Sequence, residues 1–413
     1  MADTRAGTAG DTTSPVSGYP MPRDNRCPFH PPAGVRRLTA EEPVSKVRIW
    51  DGSTPWFITR HADHRALLTD PRGSIDESRP GFPHMTRGRA ETAKATPKLI
   101  TNTDAPEHTR LRRMVNLPFT VKKVEALRPA IQKITDDQID AMLAGPDPAD
   151  LVTALGLPVP TLVISELLGV PYADHEFFHH NSTVALRHDS SAEQAGNAGG
   201  ALFGYLDGLI EQKMTTPADD MLSELAARVQ AGEMTRAEAA TMGVAVLIAG
   251  HETSASMIPL GTLALLQHPG QLAVLRDTED PKVVAAAVEE LLRYLTIVHT
   301  GVRRIATEDI EVGGQVIRAG DGIVFDLSAA NWDAGMFPEP ERLDLSRAAR
   351  QHVAFGYGPH QCLGQSLARV ELQVVYSTLY RRVPTLRLAV PFEEIEFAFE
   401  GIAYGLRSLP VTW

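Results

Sequence analysis

The sequence predicts a mainly α-helical protein with small β-sheets, built as one large domain. Three observations predict it. Long runs carry apolar residues at three- and four-residue spacing, only two short segments read as strand pairs, and no Pro/Gly/Ser-rich linker divides the 413 residues into halves.

The first 25 residues are polar and proline-rich and lack the apolar stretch of a signal peptide, so a disordered leader over 1–25 is expected ahead of a domain over 26–413. Val47 to Trp50, the turn pair Asp51-Gly52 and Trp56 to Thr59 read as a hairpin. Residues 72–104 mix Gly, Pro, Arg and Thr without period and predict a mobile surface segment. Helical spacing then runs through Leu127 to Met142, Leu162 to Leu168, Leu202 to Met214, Met221 to Val229, Ala239 to Gln267 and Pro281 to Leu295. Residues 180–200, rich in His, Ser, Asn, Gly and Ala, are expected to form a second mobile segment, and both segments to act as lids over a pocket. Ile310 to Val312 and Gln315 to Ile317, joined by Gly313-Gly314, predict another strand pair.

A net charge of −11 argues against nucleic acid as a partner, because phosphate binding needs a basic face. Two cysteines exclude a disulfide framework and suit a reducing compartment. No stretch reaches the roughly 18 apolar residues of a membrane span. A soluble, cytoplasmic monomer with no membrane or nucleic-acid partner is the expectation.

Cys362 is the residue with the clearest chemistry. It lies in a glycine-punctuated loop, Phe355 to Gly364, that opens onto the helix-like run Gln365 to Leu372. A thiol at a helix start meets peptide N–H groups that favour its thiolate, which makes Cys362 a candidate metal ligand. Glycines at 356, 358 and 364 would let the backbone turn tightly beside a flat cofactor. Cys27 has no such setting and reads as an ordinary small core residue.

A second candidate lies within the longest apolar run, where Ala249-Gly250-His251-Glu252-Thr253 interrupts Val244 to Ala255 with polar groups. Such a patch is costly in a core unless it meets water or a ligand. Thr253 is placed to return its hydroxyl to the Ala249 carbonyl, and Gly250 removes a side chain that would block a pocket, so a kink or opened groove is expected there. A zinc-protease reading of His251-Glu252 fails because the position of the second histidine is Ala255. Gly364-Gln365-Ser366-Leu367-Ala368 lacks the second glycine of a nucleophile elbow. Glu290 and Arg293 sit one turn apart on a helix face among apolar residues, a weak signal by themselves.

The spacing Phe355-x-x-Gly358-x-His360-x-Cys362-x-Gly364 resembles the haem-binding loop of the cytochrome P-450 superfamily. Ala249-Gly250-x-Glu252-Thr253 resembles its oxygen-activation motif, and Glu290-x-x-Arg293 its charge lock, completed by Arg342 of Pro340-Glu341-Arg342. The resemblance spans about residue 40 to the C-terminus and implies the cytochrome P-450 fold. It implies haem b (iron protoporphyrin IX) held by Cys362, with Phe355 and Gly364 in its loop. Thr253 would hydrogen-bond the oxygen being activated and Glu252 would relay protons. The haem propionates would be held by His108, Arg112, Arg304 and His360, with Arg303 as the ambiguous neighbour of Arg304. Substrate would be lined by Ala245, Ile248, Ile297, Thr300, Val302 and Ile402.

Within that superfamily the chain looks like soluble actinobacterial monooxygenases of secondary metabolism, which hydroxylate bulky apolar molecules: macrolides and other polyketides, statin-like compounds, steroids and secosteroids. No Gly-rich dinucleotide fingerprint precedes a helix. Electrons for O2 activation would therefore come from separate proteins; the resemblance implies a ferredoxin and a ferredoxin reductase, drawn to Arg110, Arg113, Arg347 and Arg350. Trp332, Ala334 and Arg350 depart from the superfamily's usual residues near that face. Competing expectations are a peroxide-using or nitric-oxide-reducing haem-thiolate enzyme, and a haem sensor without turnover.

Overall fold

Apolar spacing becomes helix along most of the chain in the computed structural model, which describes residues 16–24, 28–95, 98–186, 191–399 and 403–413. The predicted periodic runs lie in helices Val121–Ala144, Pro158–Leu168, Ala192–Thr215, Met221–Gln230, Arg236–Leu266 and Pro281–Leu295. Arg236–Leu266 is the longest at 31 residues, and it starts at a capping box in which Thr235 accepts from the Glu238 N–H and Glu238 accepts from the Thr235 N–H. Because it is apolar on most sides, it runs through the interior, against Ala192–Thr215, Pro158–Leu168 and the helix Gln365–Arg382. One core cluster reaches from Phe29 to Val411, which makes the chain a single domain.

The largest sheet lies to one side in the order Val44–Lys46, Trp56–Ile58, Gly322–Phe325, Val302–Ala306, Gly73–Ser74. Trp56–Ile58 pairs with Gly322–Phe325 in parallel, and the other pairings are antiparallel. Alternation sends Ile58, Ile323 and Phe325 to one core and Phe57 and Val324 to another. Arg304 is registered opposite Ile323 and Arg303 opposite Val324, so the two arginines leave the strand on different faces.

Several expectations need correction. The first hairpin strand is Val44–Lys46, registered Val44 to Ile58, and Val47 to Trp50 form the approach to the turn, with Ile49 N–H donating to Ser53 O. The second pair has the expected register, Ile310 opposite Ile317. Residues 180–200 are largely helical, in His175–Leu186 and Ala192–Thr215. Polar composition had hidden a Ser191–Gln194 capping box and an Ala/Gly-spaced helix behind it. Residues 72–104 hold the strand Gly73–Ser74 and the helix Arg87–Thr92, braced by a bidentate Arg89–Glu77 pair at 2.6 and 3.0 Å.

Residues 16–24 of the expected leader pack on the body. Tyr19 N–H donates to Arg48 O at 2.8 Å, its ring lies 5.0 Å from Phe57, and Arg23 is buried. One aromatic anchor and a pairing with the hairpin outweigh the polar composition. Residues 1–15 and Cys27 lie outside the described residues. No helix among the described residues is long and apolar enough to cross a membrane.

Candidate active site

The cysteine loop is held by its own backbone and by the helix His61–Thr69. Cys362 N–H donates to Phe355 O at 2.8 Å, and Gln361 N–H to Gly358 O at 3.0 Å. Gly358 has φ of 76°, and a Cβ there would sit 2.8 Å from Leu68 O, so glycine is required twice over. Arg65 lies over the Tyr357 ring at 4.4 Å and donates to its hydroxyl at 2.7 Å. Gly364 differs: its φ is −80°, and the nearest side-chain atom to a Cβ there is Phe119 at 4.0 Å. The protein alone leaves that side open, a space that a flat group would fill.

Cys362 keeps accessible surface although protein surrounds it closely. Burial pushes its thiol up, outweighing the Gly364 and Gln365 N–H groups and the charges of Arg112 and Arg369. The expected lowering at the helix start is therefore overturned by desolvation. A thiolate here needs a cation beside it. Among the described residues no cluster of three His, Cys, Asp or Glu side chains could hold an ion. Cys362 suits a metal whose other ligands come from a cofactor.

Four of the expected cofactor contacts converge beside this loop. His108 and Arg112 share one face of Glu107–Val115, the His108 and His360 rings lie 3.9 Å apart, and Arg304 reaches the same place from its strand. Burial, then repulsion by neighbouring cations, lowers His108 and pushes His360 down to about 4. Burial lowers Arg112 and pushes Arg304 down to about 10. Asp104 is the one acid that offsets this for His108, Arg304 and His360, and it is already engaged by the Ser74 hydroxyl and the Ile75 N–H. His108 Nε2 is buried without a partner among the described residues. Two carboxylates carried by a ligand fit this cradle. Arg303 is turned away, under the influence of Glu77, Arg89 and Tyr19.

The central helix carries the second group of candidates. Ala249 is exposed in mid-helix, and Ala245, Ile248, Glu252 and Thr253 are half-buried, whereas Val246, Leu247, His251 and Ser254 are buried. Thr253 Oγ1 donates to Ala249 O at 2.9 Å, as the spacing predicts, within one unbroken helix. Gly250 has a different reason from the expected one: a Cβ would lie 2.8 Å from Ile164 Cδ1, so it serves close approach to Pro158–Leu168. Behind the stripe, Ser254 Oγ donates to Glu371 Oε2 at 2.7 Å. Glu371 is buried, its Oε1 has no partner among the described residues, and desolvation pushes it up to about 7 against the Ser254 hydrogen bond. Sequence reading missed this carboxyl. Its signal was a lone acid among Leu367, Val370, Leu372 and Val374.

Ile297, Thr300 and Val302 are half-buried in the segment leading to the Arg304 strand. That segment meets the C-terminal chain where Tyr404 N–H donates to Ile297 O at 2.7 Å and Val298 bridges Ala403. Ile402 lies outside the described residues.

Glu290 and Arg293 form a fully buried bidentate pair at 2.7 and 2.9 Å. Arg293 also donates to the Asn331 and Pro340 carbonyls at 2.9 and 3.0 Å. The third member is Arg347, 3.2 Å from Glu290, and not Arg342. After Pro340 the chain offers its carbonyls inward, and the Arg342 side chain faces out to Glu339 and Asp344. A second network was also missed: Glu289 bonds His352 at 3.1 Å and Arg369 at 2.6 Å, and Arg369 stacks 4.6 Å over Phe355. Trp332 has a core role, stacking on Tyr294 at 5.4 Å and donating to its carbonyl at 3.0 Å.

A helical body around one inward-facing cysteine, with a cationic cradle on one side and a threonine-bearing helix opposite, defines a haem-thiolate scaffold. The chain belongs to the cytochrome P450 family, whose model, "Cytochrome P450", matches residues 37–383. It is 58% identical to cytochrome P450 GfsF of Streptomyces halstedii over 100% of both chains. It is 44% identical to the vitamin D3 dihydroxylase of Streptomyces griseolus, again over 100% of both. The crystal structure of GfsF superposes with a TM-score of 0.92, covering 96% of this chain and 100% of that one. That of the mycinamicin VIII C21 methyl hydroxylase MycCI of Micromonospora griseorubida, bound to mycinamicin VIII, gives 0.87 at 41% identity, covering 96% and 100%. The family's cofactor is haem b, and the protein is a monooxygenase.

Proposed function

We infer that this monooxygenase hydroxylates a bulky hydrophobic small molecule of macrolide or polyketide, statin-like, or secosteroid or steroid type, with electrons from a ferredoxin and its reductase. The observation that carries the reading is the stripe Ala245, Ile248, Ala249, Glu252 and Thr253, which keeps accessible surface midway along a mostly buried helix and which we read as the wall of the substrate space. The named substrates of the vitamin D3 dihydroxylase and of MycCI are of this bulky, mostly apolar kind.

Bound haem supplies the activation of O2 and the insertion of one oxygen atom into a C–H bond. Cys362 Sγ would ligate its iron, and His108, Arg112, Arg304 and His360 would hold its carboxylates. Thr253 Oγ1 keeps its proton on Ala249 O at rest and is free to turn it toward the interior space. Glu252 lies on the same face, where it would pass protons inward. Ser254 and Glu371 add a second proton store, because a carboxyl near 7 gives up or regains a proton easily at neutral pH. Ile248, Ile297 and Val302 supply apolar wall that orients substrate and keeps bulk water out.

The test is spectroscopic and kinetic. The purified reduced protein with carbon monoxide should show the red-displaced Soret band of thiolate ligation, and Cys362→Ser should lose it. Thr253→Ala should keep that band while most electrons go to released hydrogen peroxide rather than hydroxylated product. Full coupling in Thr253→Ala would overturn the proton role.

A further inference from the structure

Tyr19 and Arg23 lie outside the site, yet both hold the chain that lines its substrate side. The Tyr19 hydroxyl donates to His299 O at 3.2 Å, between Ile297 and Thr300. Beside it Gly301 has φ of 74°, and a Cβ there would meet Phe325 O at 2.7 Å and the Tyr19 hydroxyl at 3.1 Å, so the wall is tight against the tyrosine. Arg23 lies 4.4 Å over the Tyr404 ring. Tyr404 is the residue whose N–H donates to Ile297 O at 2.7 Å, and its hydroxyl donates to Pro28 O at 3.0 Å. The 297–302 wall is thus gripped near its middle by Tyr19 and at its start by a tyrosine that Arg23 backs.

An arginine in this place is costly. Arg23 is 8% exposed, and one of its nitrogens, Nη1, donates to His30 O at 3.0 Å, while Nε and Nη2 have no partner among the described residues. Arg23, Tyr19, His299, Asp326 and Ser328 line a cavity of about 10 Å³, room for one water. Asp326 Oδ1 accepts from Ser328 Oγ at 2.6 Å and Ala329 N–H at 2.9 Å, which fixes its carboxylate as the counter-charge on that cavity. An apolar side chain would fill the volume without the desolvation cost. A charged plate set between a fixed acid and an aromatic face adds direction: it holds the Tyr404 ring, and through it the wall, in one position.

We propose that residues 19–23 form a specificity strap, in which Tyr19 and Arg23 are positioning residues for the 297–302 and 403–404 wall. The proposal rests on the reading that this wall faces substrate. It is tested on the holoenzyme with two nitrogen ligands of the iron, imidazole, which needs no wall, and clotrimazole, a bulky triaryl azole that does. Tyr19→Phe and Arg23→Met should leave the carbon monoxide band and the imidazole affinity unchanged and weaken clotrimazole about tenfold. Amide exchange at Tyr404 should quicken in the same variants, and Arg23→Lys, which keeps the charge, should recover part of the loss. Equal losses for the two azoles, or none for clotrimazole, overturn the strap. If Arg23→Met does not fold, Tyr19→Phe decides alone, since it removes one hydroxyl and no volume. A parent protein that shifts its Soret band with neither azole overturns the strap together with the haem-site reading beneath it.

Discussion

Burial leaves Glu371 about half protonated at neutral pH, where most carboxyls have lost their proton. The unfolded chain releases it near 4.5, whereas the folded protein holds it to about 7. The folded-state penalty is therefore absent at low pH, grows as pH rises through that interval, and levels off above it at about 3 kcal/mol. Glu371→Gln removes the titration and keeps the shape. Denaturant unfolding at pH 5 and pH 8 should show the variant gaining up to about 3 kcal/mol on the parent at the higher pH. An identical pH slope in both proteins would place the carboxyl in water after all. At this scale Cys362 and Thr253 could be singled out as candidates because each sits at a fixed offset in a short motif, and the cradle histidines and arginines through the family resemblance. Glu371 was not. Its meaning depends on Ser254, 117 positions away, and no local pattern states that contact.

Helices were legible wherever one face was apolar, and their ends followed capping residues such as Thr235 and Asp220. Residues 180–200 misled because a helix tolerates His, Ser and Asn when neighbouring turns supply the buried face, as Phe178, Ala198 and Leu202 do here. The charge lock misled differently: Arg342 and Arg347 carry the same side chain five positions apart, and only the turn after Pro340 decides which points inward. Arg347→Met should remove the second cation from Glu290 while leaving its pair with Arg293, at a cost of about 1.5–3 kcal/mol. Arg342→Ala, at an exposed pair, should change stability by less than about 1 kcal/mol. Thermal or denaturant melts of the two variants separate the roles, and equal losses would return Arg342 to the lock.

The whole molecule turns its basic residues to unequal use. Arg110 is paired with Glu107 at 2.7 Å and Glu238 at 3.0 Å, and Arg347 with Glu290 at 3.2 Å, so part of their charge is met within the chain. Arg113 and Arg350 are exposed. Charge reversal at Arg113 or Arg350 should slow reduction by ferredoxin several-fold at low salt and much less above physiological ionic strength, where screening shortens the reach of each charge to roughly 8 Å or below. Stopped-flow reduction across a salt series measures it. A rate that ignores salt in both variants would remove these arginines from the encounter.

Arg112 and Arg304, both lowered by burial, leave the chain without its cofactor holding desolvated cations beside the cysteine loop. A ligand bearing two carboxylates offsets that desolvation, and every increment of its binding free energy becomes folding free energy. Newly made chains that have not met porphyrin are therefore the ones that open to quality-control proteases. The amount of enzyme a cell keeps then follows its tetrapyrrole supply, and feeding a haem precursor should raise the yield of intact protein at constant messenger level.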